Sequence, residues 1–214
     1  DPRTSAVRMT ANLRLTSKRT IEGTVSASFG GTRNPYFRLK SGSSNGTAAI
    51  ERLASGFGSG ASIEDVRVSQ FGPIGTAGQG RLSSNPHPEG DGTLFVLDLP
   101  WPDSSAFGQA ELRETRQTAL ALDGPFIQST RISLSLPAGF AADGLPSTVE
   151  LRNDTGWLVQ TVEVNGQTVE VTREIGLNHR VIEPGQQYSE LRQLFVEAQR
   201  LGREGLLLIA SENE

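Results

Sequence analysis

The chain has no cysteine in 214 residues. That excludes a thiol nucleophile, a disulfide framework and any thiolate-held metal. Lysine is nearly missing too: Lys18 and Lys40 stand alone, so Arg supplies almost all the positive charge. Twenty Lys and Arg against 24 Asp and Glu give a net charge of −4, with both signs mixed along the chain. There is no basic footprint for nucleic acid. Apolar runs are short. The longest, "GLLLIA" at 205–210, falls far below the ~18–20 residues of a membrane span and suits a buried strand.

Histidine occurs twice. His87 sits between two prolines in "NPHPEGDG", and His179 lies in "GLNHRVIEP". Neither has a second His or a Cys at ligand spacing, so no zinc site is expected. There is no Gly-x-Ser-x-Gly elbow for a serine nucleophile. "GFGSG" at 56–60 lacks the Lys and the spacing of a phosphate-cradling loop. Glu89, Asp91 and Asp98 lack the alternating oxygen ligands of a helix-loop-helix calcium loop. The expectation is a chain with no catalytic, metal-binding or cofactor-binding residues, and so not an enzyme by itself.

What is present is turn and strand chemistry. Gly 24 and Pro 11 mark many turns. Residues 6–15, "AVRMTANLRL", alternate apolar and polar, the period-two pattern of a half-buried strand. "TIEGTVSASFGG" follows as a second strand, folded back by a turn at Thr16–Lys18. A short helix is expected at 46–54, with Ala48, Ile50 and Leu53 on its apolar side. "SIEDVRVSQF", "GTLFVLDLP", "PFIQSTRISLSLP" and "STVELRND" read as further strands. In "VEVNGQTVEV" the Asn165-Gly166 dipeptide predicts a type I′ hairpin turn. Val162 and Val164 then share a face with Val169 and Val171.

One segment departs from this pattern. Pro184 and Gly185 open, and Gly202 closes, a stretch in which Tyr188, Leu191, Leu194, Phe195, Ala198 and Leu201 recur at helical spacing. A helix over 186–201 is expected to cover the apolar face of an antiparallel sheet. Burying its stripe is worth on the order of 10 kcal/mol before entropy is subtracted. The expected fold is therefore mainly β: an antiparallel sandwich-like body, a long C-terminal helix packed on the sheet, and one or two short helices in the first third. "FGPIGTAGQG" at 71–80 reads as a linker. It divides the chain into a small β-rich or α+β subdomain, 1–72, and a sandwich-like domain, 73–214, that carries the helix.

Trp101, in "LPWPDS", and Trp157, before the hairpin, are the candidate binding residues. Exposed aromatics on such a body suit sugar or peptide, although packing is the ordinary fate of Trp. Asn45 and Asn153 head sequons. The chain opens on Asp1-Pro2 with no initiator Met and no signal-peptide pattern, and is read as a mature chain or a piece of a longer one.

Three stretches carry a family likeness. They are "GTVSASFGGTRNPYFR", with Arg38 at its end; "ELRETRQTALALDGPFIQSTRISLSLPAGF", with Arg116 before the apolar run; and "NGQTVEVTREIGLNHRVIEPGQQYSELRQLFVEAQR", with Arg173, Ile182-x-Pro184 and Tyr188-x-x-Leu191-Arg192. In order and content they resemble the C-terminal region of bacterial exported proteins. In those proteins a transglutaminase-like core of the Cys-His-Asp type lies between two domains of unknown function. The resemblance implies a non-catalytic accessory module, partnered by an upstream transglutaminase-like domain of the same polypeptide, in the periplasm or cell envelope. A cell-envelope polymer is a further expected partner. No catalytic residue carries over, since the core's Cys has no counterpart here. The alternative is a stand-alone carbohydrate- or peptide-binding sandwich at the cell surface.

Overall fold

The computed structural model describes residues 5–16, 20–38, 46–57, 60–84, 94–98 and 112–210. The strands are β1 (Ala6–Leu15), β2 (Ile21–Phe29), β3 (Ser62–Phe71), β4 (Thr76–Ser84), β5 (Leu94–Asp98), β6 (Leu120–Ala121) and β7 (Phe126–Ser135). They continue with β8 (Phe140–Gly144), β9 (Val149–Arg152), β10 (Gly156–Asn165), β11 (Thr168–Leu177), β12 (Val181–Ile182) and β13 (Gly205–Ala210). Helix α1 spans Gly46–Glu51 and runs into a 3-10 segment, Arg52–Phe57; helix α2 spans Gln186–Leu201, 16 residues.

Eight strands form one mixed sheet in the order β3-β4-β2-β1-β7-β11-β10-β9, while β5-β13-β8 and β12-β6 form smaller sheets. Antiparallel pairing was expected throughout, and one seam corrects this: β1 and β7 run parallel, Met9 opposite Thr130 and Leu13 opposite Leu134. A parallel neighbour needs a long crossover. The return is made by β2, whose Phe29 lies opposite Val7, so that β7 begins at the same end of the sheet, with Ile127 opposite Ala6.

The stretch 71–80, expected as a linker, is a hairpin instead. Residues 72–75 turn, with Gly72 and Gly75 exchanging backbone hydrogen bonds of 3.1 and 3.2 Å. Residues from Thr76 on form β4, paired to β3 on one side and β2 on the other. The glycines serve close approach rather than flexibility. A Cβ at Gly80 would lie 2.4 Å from Ile63 Cγ2, and one at Gly78 2.9 Å from the Arg67 carbonyl oxygen and 3.3 Å from Ile50 Cγ1.

The β10–β11 hairpin also differs by one residue from expectation. Asn165 pairs with Thr168, so the central residues are Gly166 and Gln167. Only Gly166 has a positive φ, +60°, the pattern of type II′ with Gly at the first central position. The valines pair as Val164 with Val169 and Val162 with Val171.

One face of the sheet carries two apolar clusters. The first joins β1, β2, β7 and β11 to Ile50, Leu53 and Phe57 near α1 and to Leu206 and Leu208 of β13. The second joins Leu158, Ile175 and Leu177 to Tyr188, Leu191, Leu194, Ala198 and Leu201 of α2. All six stripe residues of α2, Phe195 included, are buried. Between the clusters runs a polar row: Gln160 lies opposite Arg173, and Arg173 opposite Thr130. All three are buried. The other face of the sheet is polar and open: Arg8, Thr10, Asn12 and Arg14 of β1 are exposed.

Candidate functional site

Ionisable groups held far from their ordinary behaviour are where chemistry is first sought. Among the described residues the shifted groups cluster about α2: Arg173, strongly shifted, and Glu190 tie it to its neighbours, while Glu197 and Arg200 pair with each other. Arg173, 2% exposed, donates through Nε to Gln160 Oε1 and through Nη2 to the Leu201 carbonyl, 3.0 Å away. Burial pulls its pKa down to about 10 against the opposing field of Glu204. The guanidinium thus holds the last turn of α2 to the polar row. Arg200 pairs with Glu197 at 2.6 Å and with Glu204, and hydrogen bonding to Arg200 holds the Glu197 carboxyl below its usual range. Glu204 Oε2 in turn accepts from the Ser147 N–H at 2.8 Å.

The first turn of α2 is tied in the same way. Glu190 accepts from Gln186 Nε2 at 2.8 Å and from the fully buried Thr155 hydroxyl at 2.9 Å. These bonds, Gln186 foremost, keep its carboxyl below the ordinary carboxylate range. Of these groups Glu197 lines the groove between β9 and α2, where its carboxylate is already engaged by Arg200. Among the described residues, no three His, Asp or Glu side chains are arranged to hold a metal. His179 places Nε2 3.0 Å from the Asp154 carbonyl oxygen.

Of the two tryptophans singled out in the sequence, Trp101 lies outside the described residues, as do His87, Glu89 and Asp91. Trp157 is half-buried on the open face of the sheet. Its Nε1 donates to Glu174 Oε1 at 2.8 Å. Its ring lies over Gly176, where a Cβ would come 2.2 Å from a ring carbon. The indole therefore fills the space that a side chain at 176 would take, with its polar atom satisfied on the same strand pair.

The open features lie elsewhere, and the sequence reading passed over them. A groove of about 530 Å³ runs between β9 and α2, lined by Val149, Leu151, Arg192, Gln193 and Val196 among others. Val196 is 51% exposed, although the polar side of an amphipathic helix has no need of valine. Arg192 Nε is buried without a hydrogen-bond partner. By contrast, Glu150 is paired to Arg152 at 2.7 Å, and Glu197 to Arg200. A second, shallow groove of about 450 Å³ on the open sheet face is lined by Thr10, Ser26, Ser28, Arg67 and Gln79. At the β3–β4 turn, Ile74 is 87% and Phe37 61% exposed, with Tyr36 edge-on to Phe37 and Phe71. Val196 among polar neighbours and the brevity of "STVELRND" were the signals available for the β9–α2 groove.

Residues 95–208 match a family described as a domain of unknown function with solved structure, DUF3858. A crystal structure of a "putative protease" from Parabacteroides distasonis aligns with a TM-score of 0.48 and 22% identity, over 56% of this chain and 24% of that one. The chain thus spans about a quarter of that protein's length. No curated protein matches the chain.

Proposed function

The chain belongs to the DUF3858 family, and from that premise we propose that it is a non-catalytic accessory module of a larger polypeptide. It positions or steadies a transglutaminase-like, cysteine-hydrolase-type domain at the bacterial cell envelope. The observation that carries this reading is the use made of its perturbed groups. Arg173 and Glu190 tie α2 to the strands and turn beside it, and Glu197 and Arg200 are spent on each other within the helix. With no cysteine in the chain, a Cys nucleophile has to come from another part of the polypeptide. A sandwich-like body suits such a role. The first apolar cluster, shared by the eight-stranded sheet and by Leu206 and Leu208, supports that two-layer reading.

The test is the reading frame that encodes Asp1. A frame that runs upstream into a Cys-bearing transglutaminase-like domain is expected; a frame without one overturns the proposal. Turnover of a fluorogenic peptide by the purified 214-residue chain overturns its non-catalytic half.

A second reading, a binding module for carbohydrate or peptide at the cell surface, is favoured by the β9–α2 groove. That groove offers an apolar wall, a charged group in want of a partner, and a strand edge.

A further inference from the structure

We infer that the β9–α2 groove binds an extended peptide, added as a strand to the free edge of β9, with an acidic side chain or terminal carboxylate turned inward to Arg192. The inference rests on the second reading above and is independent of the accessory role.

The two edges of the eight-stranded sheet are built differently. β3, at one edge, is broken by register shifts between Glu64 and Arg67 and between Val68 and Gln70, with Asp65 at φ +51°. Bulges and charges of this kind defend an edge against pairing. β9, at the other edge, pairs with β10 in unbroken register, Arg152 opposite Trp157 through Val149 opposite Gln160. Among the described residues no strand lies beyond it. The Asn153 N–H donates to the Gly156 carbonyl at 2.9 Å. By the alternation of an antiparallel ladder, Val149 and Leu151 direct their backbone groups at β10, and Glu150 and Arg152 direct theirs outward. Two N–H and two C=O groups are therefore offered to an incoming strand.

The side chains add selectivity. Val149 and Leu151 pack against the second apolar cluster, on the α2 side of the sheet. An added strand would turn alternate residues toward the same side, between β9 and the exposed Val196. Arg192 stands in this groove and makes no hydrogen bond or ion pair among the described residues, while both neighbouring carboxylates are engaged by other arginines. A buried guanidinium nitrogen without an acceptor favours an anionic ligand group, and Arg matches a carboxylate in geometry as well as charge. A peptide backbone also satisfies the strand edge, which a sugar cannot do in register.

The probes are fluorescein-labelled hexapeptides of alternating Val and Thr, with Asp, Asn or Lys placed in turn at each valine position. Their binding to the full chain is read by anisotropy. The best Asp peptide is expected to bind about tenfold tighter than its Asn counterpart, and the Lys peptides to fail. Arg192→Gln removes the preference of Asp over Asn. Val196→Lys, an exposed change that leaves the thermal melt intact, weakens all the peptides. N-methylation of one alternate set of peptide nitrogens abolishes binding, while the other set is tolerated.

Binding indifferent to Asp, Asn or Lys, tolerance of both N-methyl sets, or no binding at millimolar peptide overturns the inference. So does binding of peptidoglycan glycan strands by this groove without peptide. Dimerisation in sedimentation that Glu150→Pro abolishes would overturn it as well, by assigning the edge to a second copy of the chain.

Discussion

The two ends of the eight-stranded sheet solve one problem, covering an apolar face, by different means. Over β3 and β4 the cover is α1 with its 3-10 extension, seated close because β4 carries Gly78, where a Cβ would come 3.3 Å from Ile50 Cγ1. Over β10 and β11 the cover is α2, whose side chains are large and whose ends are held by polar bonds. The row of Gln160, Arg173 and Thr130 lies between these two regions. The first half depends on glycine and hydrocarbon contact, with neutral buried bonds from Ser84 to the Phe57 carbonyl and from Thr76 to Asn34. The second adds a set of anchors, each of which has to be satisfied or becomes a liability.

The largest effect separates the halves directly. Leu194→Asp places a carboxylate at a fully buried position in the α2 cluster. It is expected to cost about 4 kcal/mol or more in urea melts. If the halves are distinct units, native-state hydrogen exchange will show α2 and β10 opening while β1 and β2 keep their protection. Equal loss of protection in all four elements would mean that the polar row divides nothing.

Next comes the row itself. Arg173→Ala leaves Gln160 Oε1 and the Leu201 carbonyl without their donor, and should cost about 3 kcal/mol. Arg173→Met removes the same bonds and the same desolvated charge but fills much of the space, so it should come out milder than Ala. A Met variant as damaged as Ala would show that the lost polar group, and not the buried space, sets the value of this position.

In the other half the expected failure is steric. Gly80→Ala sets a methyl 2.4 Å from Ile63 Cγ2, and overpacking of this kind costs roughly 1–3 kcal/mol. Combining it with Ile63→Leu, which has no γ2 methyl, should recover part of the loss in thermal melts, since the clash is with that atom. No recovery would place the strain in the β3–β4 backbones instead.

Those glycines also mark where sequence reading stops. Period-two alternation made β1, β2, β7 and the β10–β11 valines legible, because each strand's pattern depends only on its own two faces. The stripe of α2 was legible for the same reason at period 3.6. Glycine is ambiguous: "FGPIGTAGQG" looks like a linker, yet Gly78 and Gly80 are glycine because α1 and β3 press against them. Asn165-Gly166 announced a hairpin, but two turn types use Gly at adjacent positions, and the pairing of Asn165 with Thr168 chose between them. The parallel seam of β1 and β7 and the edge position of β9 are set by partners far away in sequence. For that reason the β9–α2 groove, built from Val149, Leu151, Arg192 and Val196, had no local signature beyond one out-of-place valine and the shortness of "STVELRND".

The smallest effect concerns pH. Glu190 has its carboxyl held below the ordinary range, first by Gln186 and then by Thr155. A depressed carboxylate contributes stability that is present above its unfolded pKa, about 4.3. That stability is lost as pH falls through the lower, folded value. Thr155→Val keeps the shape of the buried side chain and removes the hydroxyl that donates to Glu190 Oε2. The variant should therefore melt below the wild type at pH 6–7. The gap should narrow as pH drops below the usual carboxylate range and Glu190 takes up its proton in both proteins. Glu190→Gln, with no charge to lose, should show a weaker acid dependence than the wild type. A gap between Thr155→Val and wild type that stays constant down to strongly acid pH would mean that Thr155 acts through its bond to the Gln187 carbonyl. The start of α2 would then be held by a neutral hydrogen bond, as the 3-10 end beside α1 is held by Ser84.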